Sequence, residues 1–287
     1  MTSPTFSRRT FVAFSATLPW ALDLRAAPTS IPVGLELYSV RDELKRDPQA
    51  TVRAVAAMGY QVVEFYAPYF SWTEVQTKDM RKLLDDLGVR CLSTHNDNAF
   101  FDKENLSKAR DYNSILGSKY MVMASAKPDH GPDGWKPVTD KLNSATEQLE
   151  PAGLNAGYHN HQLEFTPSAE LPGNQRPIEF IARNTNPSVM LQLDVGTCLN
   201  AGSDPVAWIR ANPGRIHSIH CKDWSPDAGK GYTVLFGEGV ANWKAIFAAA
   251  ESVGGVEYYL VEQEGSRFPE LETAQKCLQE FRAQRST

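Results

Sequence analysis

Five of the chain's six histidines, His95, His159, His161, His217 and His220, fall in or just past short apolar runs. The densest stretch is Gly157-Tyr158-His159-Asn160-His161, with Glu164 just beyond it. Three further runs, 191–194, 219–222 and 260–262, carry Asp194, His220 and Glu262 at or near their ends. Side chains alternate between the faces of a strand. Gln192 therefore shares a face with Asp194, Ser218 and Lys222 with His220, Glu264 with Glu262, and His161 with His159, while Asn160 takes the other face. Glu36, Glu64 and His95 sit on three earlier runs in the same fashion and are candidate pocket residues. Carboxylates and imidazoles converging without a thiolate make a hard-to-borderline set, suited to one divalent cation. Mn²⁺ is the first choice and Zn²⁺ the second, with Co²⁺ and Mg²⁺ also compatible. A lone strand histidine is usually a satisfied core residue, and a lone strand-end aspartate often caps the next helix. Four ionisable groups in one mouth are too costly to bury unpaired.

Something must bring these runs together, and the chain alternates strand and helix throughout. The pattern predicts strands over 33–39, 61–66, 89–95, 119–123, 154–159, 189–194, 215–221 and 257–262. It predicts helices over 48–58, 77–87, 103–116, 136–149, 178–184, 205–211, 243–253 and 269–282. Pro48 suits a first helical turn, and Gly59, Gly88 and Gly117 are stop signals. Eight such repeats in about 250 residues predict a single-domain (β/α)₈ TIM barrel, whose chemistry sits at the C-terminal ends of the strands. The nearly continuous apolar strands fit a sheet covered on both faces. The alternative, a doubly wound open sheet, lacks a glycine-rich fingerprint after its first strand. The longest irregular stretches, 125–134 and 166–176, follow the fourth and fifth strands, on the active-site side.

The opening residues read differently. Ser7-Arg8-Arg9-Thr10-Phe11-Val12 leads an apolar run that ends in small residues at Ala26 and Ala27. This resembles a twin-arginine export signal. The expectation is a signal over residues 1–27, a folded domain over 28–287, and a periplasmic or otherwise exported protein. The run contains Pro19 and Asp23 and is short for a membrane span, so no span is expected in the mature form. A net charge of −5 argues against a nucleic-acid partner. The four cysteines lie far apart and suggest free thiols rather than a disulfide framework. A homo-oligomer is left open.

From residue 34 to about 282 the sequence resembles the sugar phosphate isomerase/epimerase superfamily, with its xylose-isomerase-like TIM barrel. The resemblance is carried by Gly157-Tyr158-His159-Asn160-His161-Gln162-Leu163-Glu164-Phe165, Leu191-Gln192-Leu193-Asp194-Val195-Gly196 and the stretch from Gly214 to Asp223. Gly237-Glu238-Gly239-Val240-Ala241-Asn242-Trp243 and Leu260-Val261-Glu262-Gln263 complete it. It implies a metal held by residues of the last four strands. Asp194, His220 and Glu262 match the ligands of the family's ketose epimerases, and His159 stands where those enzymes place a glutamate. The symmetric relay of two proton-handling glutamates is then absent. The implied activity is isomerisation or epimerisation of a keto-sugar by proton abstraction alpha to a carbonyl, with His161, Glu262 and Lys222 as catalytic groups. Either His159 or His161 is the ligand, and Glu36, Glu64, His95 and Glu164 are substrate-binding candidates. The alternative is a metal-dependent elimination of the inosose dehydratase or 3-keto-glycoside-cleaving kind. An endonuclease IV-like phosphodiesterase and a noncatalytic sugar-binding protein fit less well. The partner implied is a small sugar or glycoside.

Overall fold

The computed structural model describes Met1, residues 31–126 and residues 128–286. Residues 31–287 form one compact unit. The expected signal over residues 1–27 lies outside the described residues, Met1 apart.

Eight parallel strands close into a barrel in sequence order. They are β1 (Val33–Glu36), β2 (Val62–Phe65), β3 (Arg90–Asn96), β4 (Tyr120–Met123), β5 (Asn155–His159), β6 (Met190–Asp194), β7 (Ser218–Cys221) and β8 (Tyr258–Val261). β8 pairs with β1 to complete the ring. The helices are α1 (Arg41–Arg46), α2 (Pro48–Met58), α3 (Glu74–Leu87), α4 (Lys103–Leu116), α5 (Lys136–Leu149), α6 (Gln162–Phe165), α7 (Pro177–Asn184), α8 (Val195–Asn200), α9 (Pro205–Ala211), α10 (Trp243–Ala249) and α11 (Glu270–Arg285). No helix among the described residues is long and apolar enough to cross a membrane. The single-domain (β/α)₈ barrel read from the strand-helix alternation is the observed fold.

Local signals set most boundaries. Asp47 caps α2 with Pro48 behind it, and Thr73 and Gln76 form a reciprocal capping box at α3, which begins three residues earlier than expected. The short helices α1, α6 and α8 were not expected. A helix of four to six residues shows no readable period, and such helices depend on tertiary partners. The first strand stops at Glu36, not at residue 39. Glu36 Oε2 accepts a hydrogen bond from the Tyr38 amide at 2.7 Å and turns the chain into a 3₁₀ turn. The seventh strand starts at Ser218, three residues late. The guanidinium of Arg215 binds the carbonyls of Ala182 and Val189 below it. The loop over 222–242 is longer than the two stretches singled out in the sequence. Asp223 anchors it, accepting hydrogen bonds from Gly237 N, Ala241 N and Trp243 Nε1. The loop passes so close that a Cβ on Gly239 would lie 2.0 Å from Asp223 Oδ1.

Two apolar layers share the strands. Outward side chains pack under the helices, while Val62, Leu92, Val122, Met190, Tyr258 and Leu260 form a separate inner cluster. The β2–β3 ladder steps from Val63↔Cys91 to Glu64↔Ser93, leaving Leu92 unpaired at a bulge. That bulge lets Leu92 join the apolar plug while Ser93 turns towards Glu64. Gly34 completes the plug from β1. A Cβ there would stand 2.6 Å from Val62 O and 2.8 Å from Leu260 Cδ2. Gly34→Ala is expected to destabilise the barrel by about 1–3 kcal/mol, the range for overpacking a filled core. Thermal or denaturant unfolding measures this, and an unchanged midpoint would contradict the packing described.

Candidate metal centre and active site

Above the apolar plug the barrel becomes ionisable. Glu36, Glu64, Asp194 and His220 are fully buried, and His159 and Lys222 nearly so. Each stands at the C-terminal end of its strand, as alternation demands once the apolar plug fills the lower level.

His159 on β5 is positioned by Gln192, whose Oε1 lies 3.1 Å from Nδ1. Its Nε2 is 3.8 Å from Asp194 Oδ2. Burial, and then the neighbouring His95 and His220, push its pKa well below the usual histidine value, a direction that favours the neutral imidazole a cation would need. Asp194 divides its oxygens. Oδ1 accepts from Thr197 N at 2.9 Å and caps α8, while Oδ2 faces Lys222 Nζ at 3.3 Å. Asn160, on the opposite face from the two histidines, pins this corner. Its Oδ1 accepts from Asp194 N at 3.0 Å, and its Nδ2 donates to Asp194 O and Thr197 Oγ1.

His220 on β7 links two walls of the barrel. Nδ1 lies 2.7 Å from Glu262 Oε2, and Nε2 lies 2.8 Å from Glu64 Oε2. Burial opposes its charge, but the two carboxylates prevail and raise its pKa well above the usual value. Burial likewise pushes the Glu64 carboxyl up, yet His220, His95 and a hydrogen bond from Ser93 hold it below the ordinary range. Lys222 is buried at the barrel mouth. Its Nζ lies 3.3 Å from Asp194 Oδ2, 3.3 Å from Glu262 Oε1, and against Glu264 Oε1. Those carboxylates outweigh burial and keep it cationic. Removing it would leave buried charges uncompensated, the costly half of a buried ion pair.

Donor atoms of His159, Asp194 and Glu262 lie within 4.8 Å of one another, all three buried. The set is oxygen and nitrogen only, converges from separate strands, and carries two carboxylates, so it fits a divalent first-row cation. His220 adjoins the same centre, since donor atoms of His95, His159 and His220 also lie within 4.8 Å of one another. His161 takes a different place. It is half-buried, with its ring 5.0 Å from that of His159, and it lines a pocket of about 390 Å³ with His95, Glu262, Glu264, Tyr38 and Tyr66.

The structure thus brings Glu36, Glu64, His95, His159, His161, Asp194, His220, Lys222 and Glu262 to one end of the barrel. Glu164 is placed otherwise. Its Oε1 accepts from Tyr158 OH at 2.7 Å and its Oε2 from His161 N at 2.9 Å. Both oxygens are committed to holding the chain that carries His161, because the chain turns into α6 directly after β5. Gln192 and Glu264 join the site beyond the residues first singled out, and their signal was the two-residue spacing from Asp194 and Glu262. Ser93 carried the same signal, two residues before His95, and the bulge at Leu92 brings it to Glu64. His217 lies outside the site, 3.6 Å from Glu257 through Nδ1. The four cysteines are buried free thiols.

Residues 52–284 match the family of xylose isomerase-like TIM barrels. The chain belongs to that family. Over 168 residues it is 24% identical to an inosose dehydratase of Geobacillus thermodenitrificans, a match spanning 53% of this chain and 54% of that protein. A crystal structure of a sugar phosphate isomerase/epimerase from Parabacteroides distasonis superposes with a TM-score of 0.71 at 28% identity, covering 92% of this chain and 98% of that one. The IOLI protein, crystallised with a binding zinc atom, shares the fold at 16% identity and a TM-score of 0.65, over 87% of this chain and 97% of that one.

Proposed function

We propose that this family member is a divalent-metal-dependent enzyme that removes the proton alpha to the carbonyl of a keto-sugar, in an isomerase or epimerase type of reaction. The observation that carries the reading is the pairing of a buried His159 among Asp194 and Glu262 with a second histidine, His161, on the wall of the adjoining pocket. A pocket of about 390 Å³ is of small-ligand size. Its acidic lining, with Asp97, Glu262 and Glu264, favours a neutral sugar over a phosphodiester. The sugar-isomerase and dehydratase relatives point to the same substrate class.

His159, Asp194, His220 and Glu262 would hold the cation, Mn²⁺ before Zn²⁺, with Co²⁺ and Mg²⁺ also compatible. A bound divalent ion supplies Lewis acidity towards a carbonyl oxygen and its developing negative charge. The chain's own groups do the rest. His161, free of the ligand set, takes the alpha proton. Lys222 holds positive charge beside Asp194 and Glu262 and aligns both carboxylates. Glu262 orients a substrate hydroxyl, and Tyr38 and Tyr66, edge to face at 5.4 Å, offer aromatic surface to a sugar ring.

Elimination is the second reading, favoured by one observation. β5 presents His159 where a two-glutamate relay would need a carboxylate, so the two sides of the substrate meet different proton-handling groups. Both reactions begin with the same proton abstraction. The test is a panel of keto-sugars and 3-keto-glycosides incubated with Mn²⁺-loaded protein in D₂O and followed by NMR. Deuterium wash-in beside the carbonyl is expected, with an epimer or isomer as product. Loss of water or aglycone would establish the lyase instead, and no exchange with any substrate would refute both.

Export through the twin-arginine pathway is part of this proposal, supported by Arg8-Arg9 and the apolar run behind them. A chain begun at Pro28 is expected to fold and keep its metal. Replacing both arginines with lysine should retain the protein in the cytoplasm. Unfolding of the shortened chain would make the segment structural.

A further inference from the structure

Tyr66 lines the pocket beside the candidate metal centre, and it also lines a second cavity of about 320 Å³. The apolar walls of this second chamber are Leu44, Pro48, Phe65, Tyr66, Tyr69 and Trp72. These residues lie at or after the ends of β1 and β2, so the chamber sits at the C-terminal end of the barrel, where a barrel's chemistry is done. A hydrogen bond joins the two cavities as well. Tyr69 of the chamber donates its hydroxyl to Asn96 Oδ1, and Asn96 lines the first pocket. The walls are held in place before any ligand arrives. The Trp72 ring meets Phe65 edge to face at 5.2 Å, and the Trp72 carbonyl accepts from Tyr112 OH at 2.7 Å. Tyr66 and Trp72 are only half-buried, which leaves ring surface for a ligand.

The two cavities differ in chemistry. The first carries Asp97, Glu262 and Glu264, whereas among the described residues no carboxylate lines the second. Two hydroxyls of the second are already committed. Tyr69 OH also accepts from Asn113 Nδ2 at 2.8 Å, and Ser71 Oγ donates to Pro68 O at 2.8 Å. A second sugar ring in the chamber would leave hydroxyls short of partners. A flat apolar ring would instead meet aromatic faces and edges. We infer that this chamber is a subsite for an aromatic group attached to the sugar, so that the substrate class is an aryl glycoside in its keto form rather than a free keto-sugar. The inference rests on the keto-sugar reading of the first pocket. The sugar lies among the acidic groups, Tyr66 stands at the junction, and the aromatic group packs against Tyr66 and Trp72.

The test compares two probes on the Mn²⁺-loaded full chain by isothermal titration calorimetry. Phenyl 3-keto-β-glucoside is expected to bind at least about tenfold more tightly than methyl 3-keto-β-glucoside, the gain from burying an aromatic ring. Ser71→Phe, which fills the chamber from its exposed edge, and Trp72→Leu, which removes a wall, should each abolish that preference. In Ser71→Phe, binding of the methyl glycoside and deuterium wash-in beside its carbonyl should stay unchanged. Equal affinities for the two glycosides in the parent protein overturn the subsite and leave the keto-sugar reading standing, and this comparison needs no variant to fold. A phenyl preference that survives in both variants puts the ring elsewhere and overturns the subsite too. A 3-keto-disaccharide that binds as tightly as the phenyl glycoside gives the chamber to a second sugar ring and overturns the aromatic assignment. Binding of neither glycoside defeats the keto-sugar reading and the subsite together.

Discussion

Asp194→Ala is expected to lose bound metal and turnover together. Asp194 contributes one oxygen to the His159–Asp194–Glu262 set and the other to the amide of Thr197, so the alanine variant also loses a helix cap worth about 1 kcal/mol. Asp194→Asn separates the two effects, since asparagine caps helices well but brings no charge to a cation. Both variants should fall at least ~100-fold in turnover, because substitution of even a partner that only orients a ligand costs about 10–100-fold. The asparagine variant should melt close to the parent. Metal analysis after dialysis and a substrate assay check this. Full metal retention in both variants would remove Asp194 from the site.

His161→Gln should do the opposite for metal. His161 lines the pocket and lies outside the groups of donor atoms that converge around His159. Its loss is expected to lower turnover about 10²–10⁴-fold, the usual contribution of a positioned general base, with metal content unchanged. Deuterium wash-in alpha to the carbonyl should slow by the same factor. His159→Gln should instead release metal, since no other imidazole approaches Asp194 as closely among the described residues. Full exchange in His161→Gln would shift the base to Glu262 or Glu64. Metal loss in that variant would make His161 a ligand and reverse the two roles.

The sequence by itself determined the barrel and most of the site. Apolar runs of four to seven residues, each followed by a stop signal and an amphipathic stretch, leave little choice of architecture. The period of two along a strand then settles which residues travel together. Asp194 brings Gln192, His220 brings Lys222, and Glu262 brings Glu264. That logic holds because neighbouring positions on one strand are coupled by backbone geometry alone.

Tertiary structure decided whatever depends on a partner far along the chain. His159 and His161 share a strand face and look equivalent in sequence. Only the closed ring places His159 against Gln192 and Asp194, while the turn into α6 carries His161 out to the pocket wall. Glu164 reads as a free acid near a site, yet Tyr158 and the amide of His161 consume both its oxygens. Lys222 is read as a catalytic group on the His220 face, and Asp223 is its neighbour in the chain. The two diverge because alternate residues face opposite sides, Lys222 towards three carboxylates and Asp223 towards the loop that ends at Trp243. The facing glutamates of β1 and β2, Glu36 and Glu64, are visible only once the β1–β2 register is set. Register in a parallel barrel depends on closure of all eight strands, and no local stretch encodes it.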